Sequence, residues 1–121
     1  MVHAMTKFDI RQVDGGVSVI DVQGEITGFT ENEMVQAYTQ AVQPGVGIIV
    51  WNFNQLDYMN SSGIGLLLTL LIRARKQGVR MCAYGLNEHY MRVFEMSRLN
   101  EAIQLFEIEE DVKKSLVLVD G

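Results

Sequence analysis

Leu56-Asp57-Tyr58-Met59-Asn60-Ser61-Ser62-Gly63-Ile64-Gly65-Leu66-Leu67-Leu68 is a polar junction between two apolar runs. Upstream, Ile48-Ile49-Val50-Trp51 and Phe53 are β-branched and aromatic without clean alternation, which reads as a strand buried on both faces. Downstream, Ile64 to Lys76 reads as a helix, with Arg73, Arg75 and Lys76 in its last turn and Gly78 as its stop. Ser61 or Ser62 is positioned to cap that helix, since a serine oxygen accepts one of the first free backbone N–H groups. Gly63 and Gly65 read as close backbone packing at the strand-to-helix turn. A hydroxyl here is also exposed at the positive end of a helix, where an added phosphate is electrostatically tolerated. The junction is therefore a candidate switch.

Outward from the junction, strand and helix signals alternate. Phe8 to Val13 reads as a strand with Phe8, Ile10 and Val13 broadly on one side, and Asp14-Gly15-Gly16 as a tight turn into Val17 to Val22, making a hairpin. Gly24-Glu25-Ile26-Thr27-Gly28 breaks that second strand. Thr30 followed by Glu33 forms a capping box for a helix whose apolar stripe is Met34, Val35, Tyr38, Ala41 and Val42, ending before Pro44-Gly45. Val79 to Tyr84 is a strand; Asn87 caps a helix over Glu88 to Ser97; Ile103 to Phe106 is a short strand; Glu109 to Leu118 is a terminal helix. The order β-β-α-β-α-β-α-β-α predicts an α/β domain with a mixed, mostly parallel sheet, one antiparallel hairpin strand at the N-terminal side, and helices after strands 2–5. Residues 1–6 carry no pattern to fold around and are expected to be disordered, with Met5 a candidate start; residues 7–119 are expected to form one domain.

Bulk properties narrow the function classes. The chain has 121 residues, nearly half of them apolar, enough for a core without staples. Fifteen acidic against ten basic residues give a net charge of −5, which argues against nucleic-acid and anionic-membrane partners. The longest apolar stretch, Ile64 to Ile72, is far short of the ~20 residues that span a bilayer, and no secretory signal is visible. Cys82, the single cysteine, lies in an apolar run and fits a buried thiol in a reducing cytoplasm. His3 and His89 are the only imidazoles; His89 reads as a solvated surface side chain, and no spacing for a metal is present. Gly63-Ile64-Gly65 lacks both the third glycine of a dinucleotide fingerprint and the Lys-Ser/Thr of a phosphate loop. Glu107, Glu109, Glu110 and Asp111 read as complements to a helix dipole, and Met91 and Met96 as core filling or, if exposed on one helix face beside the switch, as an adaptable contact surface. No catalytic residue, cofactor or metal is expected.

Three blocks together resemble the STAS-domain family of bacterial anti-sigma factor antagonists, across Phe8 to Leu118. Gly24-Glu25-Ile26-Thr27 is similar to the family's Gly-Glu/Asp-apolar-Asp turn. Met59-Asn60-Ser61-Ser62-Gly63-Ile64-Gly65 resembles its Asp-Ser-Ser/Thr-Gly-apolar-Gly signature, and Arg92-Val93-Phe94-Glu95-Met96-Ser97-Arg98-Leu99 its third helix and exit. The resemblance implies that Ser61 is the phosphoacceptor, with Ser62 the second choice. It implies two partners, an anti-sigma factor with serine kinase activity and a phosphatase of the PP2C type. The implied contact surface is Glu25, Thr27, Gly28, Thr30, Asn60, Ser61, Ser62, Gly63 and Ile64. Three positions depart from the family: Asn60 and Thr27 stand where it has aspartate, and Arg98 where it commonly has glycine. A STAS-like accessory subunit of a transport or other signalling complex, not phosphorylated, is the alternative reading on the same fold.

Overall fold

The computed structural model describes residues 5–13 and 15–120, with side chains through residue 116. Its strands are β1 (Lys7–Val13), β2 (Val17–Ile26), β3 (Ile48–Met59), β4 (Arg80–Tyr84) and β5 (Gln104–Phe106). Its helices are α1 (Glu31–Ala41), α2 (Ser61–Lys76), α3 (Glu88–Met96) and α4 (Glu109–Asp120), with 3-10 turns at Gly28–Thr30 and Leu99–Glu101. The five strands lie in chain order, β1-β2-β3-β4-β5. β1 pairs antiparallel with β2, and every later neighbour is parallel. This is the expected α/β class. Asp14 of the hairpin turn and residues 1–4 of the N-terminal stretch lie outside the described residues.

The pleat distributes the β-branched residues to two cores. Ile20, Val22, Ile49, Trp51, Phe53, Met81 and Ala83 face one layer of helices, α1 to α3, whose buried side chains include Met34, Tyr38, Leu67, Leu70 and Phe94. The intervening residues Val19, Val50, Cys82 and Tyr84 face α4 through Val112. A run without alternation is what a strand covered on both faces needs, since both sets of side chains leave water. Val13 belongs to the α4 side while Phe8 and Ile10 pack against the helical layer, so the three do not share a face as the sequence suggested. Right-handed crossovers between adjacent strands put α1, α2 and α3 on one side of the sheet.

Several element ends differ from expectation. Gly24 does not end β2; it adopts φ +96 within the strand, which continues to Ile26 with register shifts against β3 on either side. A Cβ there would lie 2.5 Å from the Met5 carbonyl oxygen, so the residue combines a positive φ with a close backbone approach. β3 likewise runs past Phe53 to Met59, well into the stretch that reads as a polar junction. Met96 is 85 % exposed rather than core.

Candidate functional site

The carboxyl ends of β2 and β3 stand side by side, with Ile26 paired to Met59. Beyond them the chain enters the Gly28–Thr30 turn on one side and α2 on the other. Open α/β sheets present their sites at this end of the strands.

The cap of α2 is Asn60, not Ser61 or Ser62. Its backbone is extended, and its Oδ1 accepts from the Gly63 N–H at 2.9 Å. An N-cap residue must lie outside the helical conformation while its oxygen reaches two or three residues ahead, and asparagine does this as well as serine. The helix starts at Ser61, three residues before the sequence reading placed it. Ser61 and Ser62 thus occupy its first turn, and both are exposed.

Gly63 is buried beneath them. A Cβ on it would stand 2.2 Å from the Ile26 carbonyl oxygen and 2.9 Å from its carbonyl carbon, so α2 can lie against the end of β2 only with glycine here. Gly65 is different. It is exposed, and a Cβ there would meet nothing within 4 Å, so backbone packing does not explain it.

On the β2 side, Thr27 is the cap that the sequence assigned to Thr30. Thr27 Oγ1 accepts from the Phe29 N–H, and Thr30 Oγ1 accepts from the Thr27 N–H at 3.0 Å, closing a reciprocal box around a single 3-10 turn. Thr30 makes no side-chain cap bond to α1. Local geometry wins because Thr30 reaches back three residues to a free N–H before α1 begins. Gly28 passes beside Ser62, where a Cβ on it would be 3.8 Å from the Ser62 Cβ. Glu25 is half-buried, and the Thr6 hydroxyl accepts from its N–H and donates to its carbonyl.

The structure therefore brings together every residue singled out at this end of the sheet. Gly28, Ser61 and Ser62 are exposed, Glu25, Thr30, Asn60 and Ile64 are half-buried, and Thr27 and Gly63 are buried. Sequence reasoning missed the apolar side chains around them. Phe29, at the tip of the 3-10 turn, is 97 % exposed, and Leu68 and Ile72 extend from the serines along the outer face of α2. Spacing of three to four residues from Ser61 through Gly65 and Leu68 to Ile72 was the available signal.

Elsewhere the chemistry is quiet. Burial pushes the Cys82 thiol up, which opposes thiolate formation. His89 is exposed, with its ring edge-on to Tyr90. No cluster of three or more metal-ligating side chains occurs among the described residues, and no helix among them is long and apolar enough to cross a membrane. A concavity of about 490 Å³ lies between α4 and the opposite end of the sheet, lined chiefly by aliphatic residues such as Val17, Ile48 and Leu116. It does not coincide with the serines.

The STAS domain family model matches residues 9–114. An anti-sigma-B factor antagonist from Listeria monocytogenes is 25 % identical over 105 residues, covering 86 % of this chain and 91 % of that protein. The structure of the Bacillus cell fate determinant SpoIIAA in its phosphorylated form superposes with a TM-score of 0.69 at 25 % identity, covering 90 % of this chain and 99 % of that one. An anti-sigma factor antagonist from Mycobacterium paratuberculosis shares the fold with a TM-score of 0.79 at 20 % identity, covering 92 % of this chain and 93 % of that one. Sheet, junction and family match agree over the same residues, and this chain belongs to the STAS domain family.

Proposed function

We propose that this chain is an anti-sigma factor antagonist, with no catalysis of its own, that docks a kinase-type anti-sigma factor and is switched off by phosphorylation of Ser61. The observation that carries the reading is an exposed Ser61 in the first turn of a helix whose cap is supplied by another residue. Modifying that hydroxyl leaves the Asn60 cap intact, and the free N–H groups and dipole of the helix start accommodate the anion. The relative solved in phosphorylated form supports the same reading. A PP2C-type phosphatase restores the docking form, and the cytoplasm is the compartment in which such partners meet.

The contact surface comprises the 25–30 turn, the 60–64 junction, and the exposed Phe29, Leu68 and Ile72. Phosphate adds about −1.5 to −2 charge in the middle of this surface. One unfavourable charge contact at 4 Å costs ~1 kcal/mol in water and ~4 kcal/mol at an effective dielectric of 20. At ~1.4 kcal/mol per tenfold, one or two such contacts weaken docking by tens to thousands of times without any change of fold.

Titration of the cognate anti-sigma kinase with Ser61→Ala and Ser61→Asp tests this directly. The alanine variant is expected to keep the wild-type affinity and the aspartate variant to lose about tenfold or more. Equal affinities would overturn the charge mechanism. Intact mass after incubation with kinase and ATP should show one phosphate on the wild type and none on Ser61→Ala. Specific capture of a transport ATPase, with no affinity for the kinase, would overturn the antagonist reading.

A further inference from the structure

β3 outruns its neighbour on one side. Its pairing with β4 ends at Asn52 and Tyr84, whereas its pairing with β2 continues to Met59. The far end of β3 therefore has backbone groups on its β4 side that no strand satisfies, and buried backbone donors need partners. Tyr90 fills one such place. It is 6 % exposed in the first turn of α3, and its hydroxyl accepts from the Met59 N–H at 2.8 Å in a buried contact. Met59 immediately precedes the cap residue Asn60.

The contacts on the other side of the junction are looser. The Asn60 N–H reaches the Ile26 carbonyl at 3.3 Å, near the outer limit for a hydrogen bond. Tyr90 itself is anchored, because its own N–H donates to Oδ1 of Asn87, the cap of α3, at 2.9 Å. The two helix starts are thus linked: Asn87 holds the first turn of α3, Tyr90 holds the last peptide of β3, and Asn60 holds the first turn of α2.

We infer that Tyr90 is a positioning residue for the Ser61 junction, holding the Tyr58–Met59 peptide so that the α2 cap at the next residue forms and the serine is presented in one orientation to whatever docks there. The functional half of this inference rests on the antagonist reading above. The structural half does not.

The experiment is Tyr90→Phe in the full chain, which keeps the ring and removes the acceptor. Amide exchange measured by NMR reads the junction without any partner. Exchange at both Met59 and Gly63 should accelerate about tenfold, the factor that loss of one ordinary hydrogen bond produces. Acceleration at Met59 with unchanged protection at Gly63 would overturn the link to the cap. With the kinase, kcat for phosphorylation should fall about tenfold while KM stays within about threefold, since docking survives and orientation does not. A core truncation on the α4 face of the sheet, Val112→Ala, serves as a control that loosens the fold from the core cluster opposite Met59 and Tyr90, and it should leave the kinetics unchanged. Wild-type protein that is never phosphorylated would sink the proposed switch, and the exchange data then decide the Tyr90 inference alone. Wild-type and Tyr90→Phe proteins phosphorylated equally well would sink the functional half of the inference and leave the switch standing.

Discussion

Gly63 and Gly65 sit two residues apart in the first turns of α2 and face opposite demands. At Gly63→Ala the new Cβ meets the Ile26 carbonyl at 2.2 Å, and backbone cannot move aside cheaply. Denaturant unfolding should show a loss of at least about 1–3 kcal/mol. Gly65→Ala meets open space on an exposed helix, so the same measurement should show a gain of about 0.5–1 kcal/mol, with weaker partner docking if the bare backbone is a contact point. A destabilised Gly65→Ala would show that the space is less open than the geometry indicates. Arg98 is the reverse case. It holds φ 65, the conformation for which glycine is suited, and its exposed pair with Glu101 offsets little of that strain. Arg98→Gly should raise stability by about 0.5–1 kcal/mol in thermal melts. A fall would mean the ion pair outweighs the strain.

The α2 cap is where residue chemistry becomes element structure. Asparagine and aspartate cap about equally well, so the departure from the family's aspartate at Asn60 leaves the helix start intact. Asn60→Ala should cost about 1 kcal/mol, whereas Asn60→Asp should shift stability by only a few tenths and change the rate of Ser61 phosphorylation more. A large melting shift with an unchanged rate for Asn60→Asp would contradict this. Capping was also the least legible feature in the sequence. Three adjacent residues, Asn60, Ser61 and Ser62, each have a competent oxygen, and only the observed extended backbone of Asn60 separates them. The Thr30/Glu33 pattern has the right spacing for a box, but Thr27 and Thr30 satisfy one another first. Strand ends failed for a similar reason: Gly24 and the polar residues after Phe53 look like breaks until a parallel partner supplies their hydrogen bonds.

At the scale of the whole molecule, α4 is fastened across the back of the sheet by a polar clasp that no local pattern announces. Arg11 on β1 donates to Asp21 at 2.5 and 2.9 Å and to Glu109 at 2.7 Å; Tyr84 donates to the same Glu109 oxygen, and Lys113 stands 3.6 Å away. The Arg11 guanidinium, with the Tyr84 hydroxyl, holds the Glu109 carboxyl below its ordinary value of 4.5, and Arg11 with Asn52 holds Asp21 below 3.8. Both carboxylates therefore bind protons less readily in the fold than in the unfolded chain. Their stabilisation is fully present above the ordinary carboxylate range and is lost as pH falls through the depressed folded values. Glu109→Gln should cost about 1 kcal/mol at pH 7, and the difference from wild type should shrink as pH falls below the ordinary carboxylate range. A constant difference across that range would show that the clasp is not electrostatic. By sequence Glu109 reads as a complement to the helix dipole, which its position in the first turn of α4 permits, but the hydrogen-bond donors Arg11 and Tyr84 that hold it are 98 and 25 residues away in the chain.

Element order, the parallel sheet and the serine junction were all readable from the chain, because hydrophobic period, turn residues and helix stops act over a few neighbouring positions. Which oxygen caps α2, which face each strand residue takes, and which distant side chains grip Glu109 and Met59 depended on the folded arrangement. Those outcomes are competitions between donors and acceptors far apart in the chain, and only their distances in the assembled domain determine which pairs form.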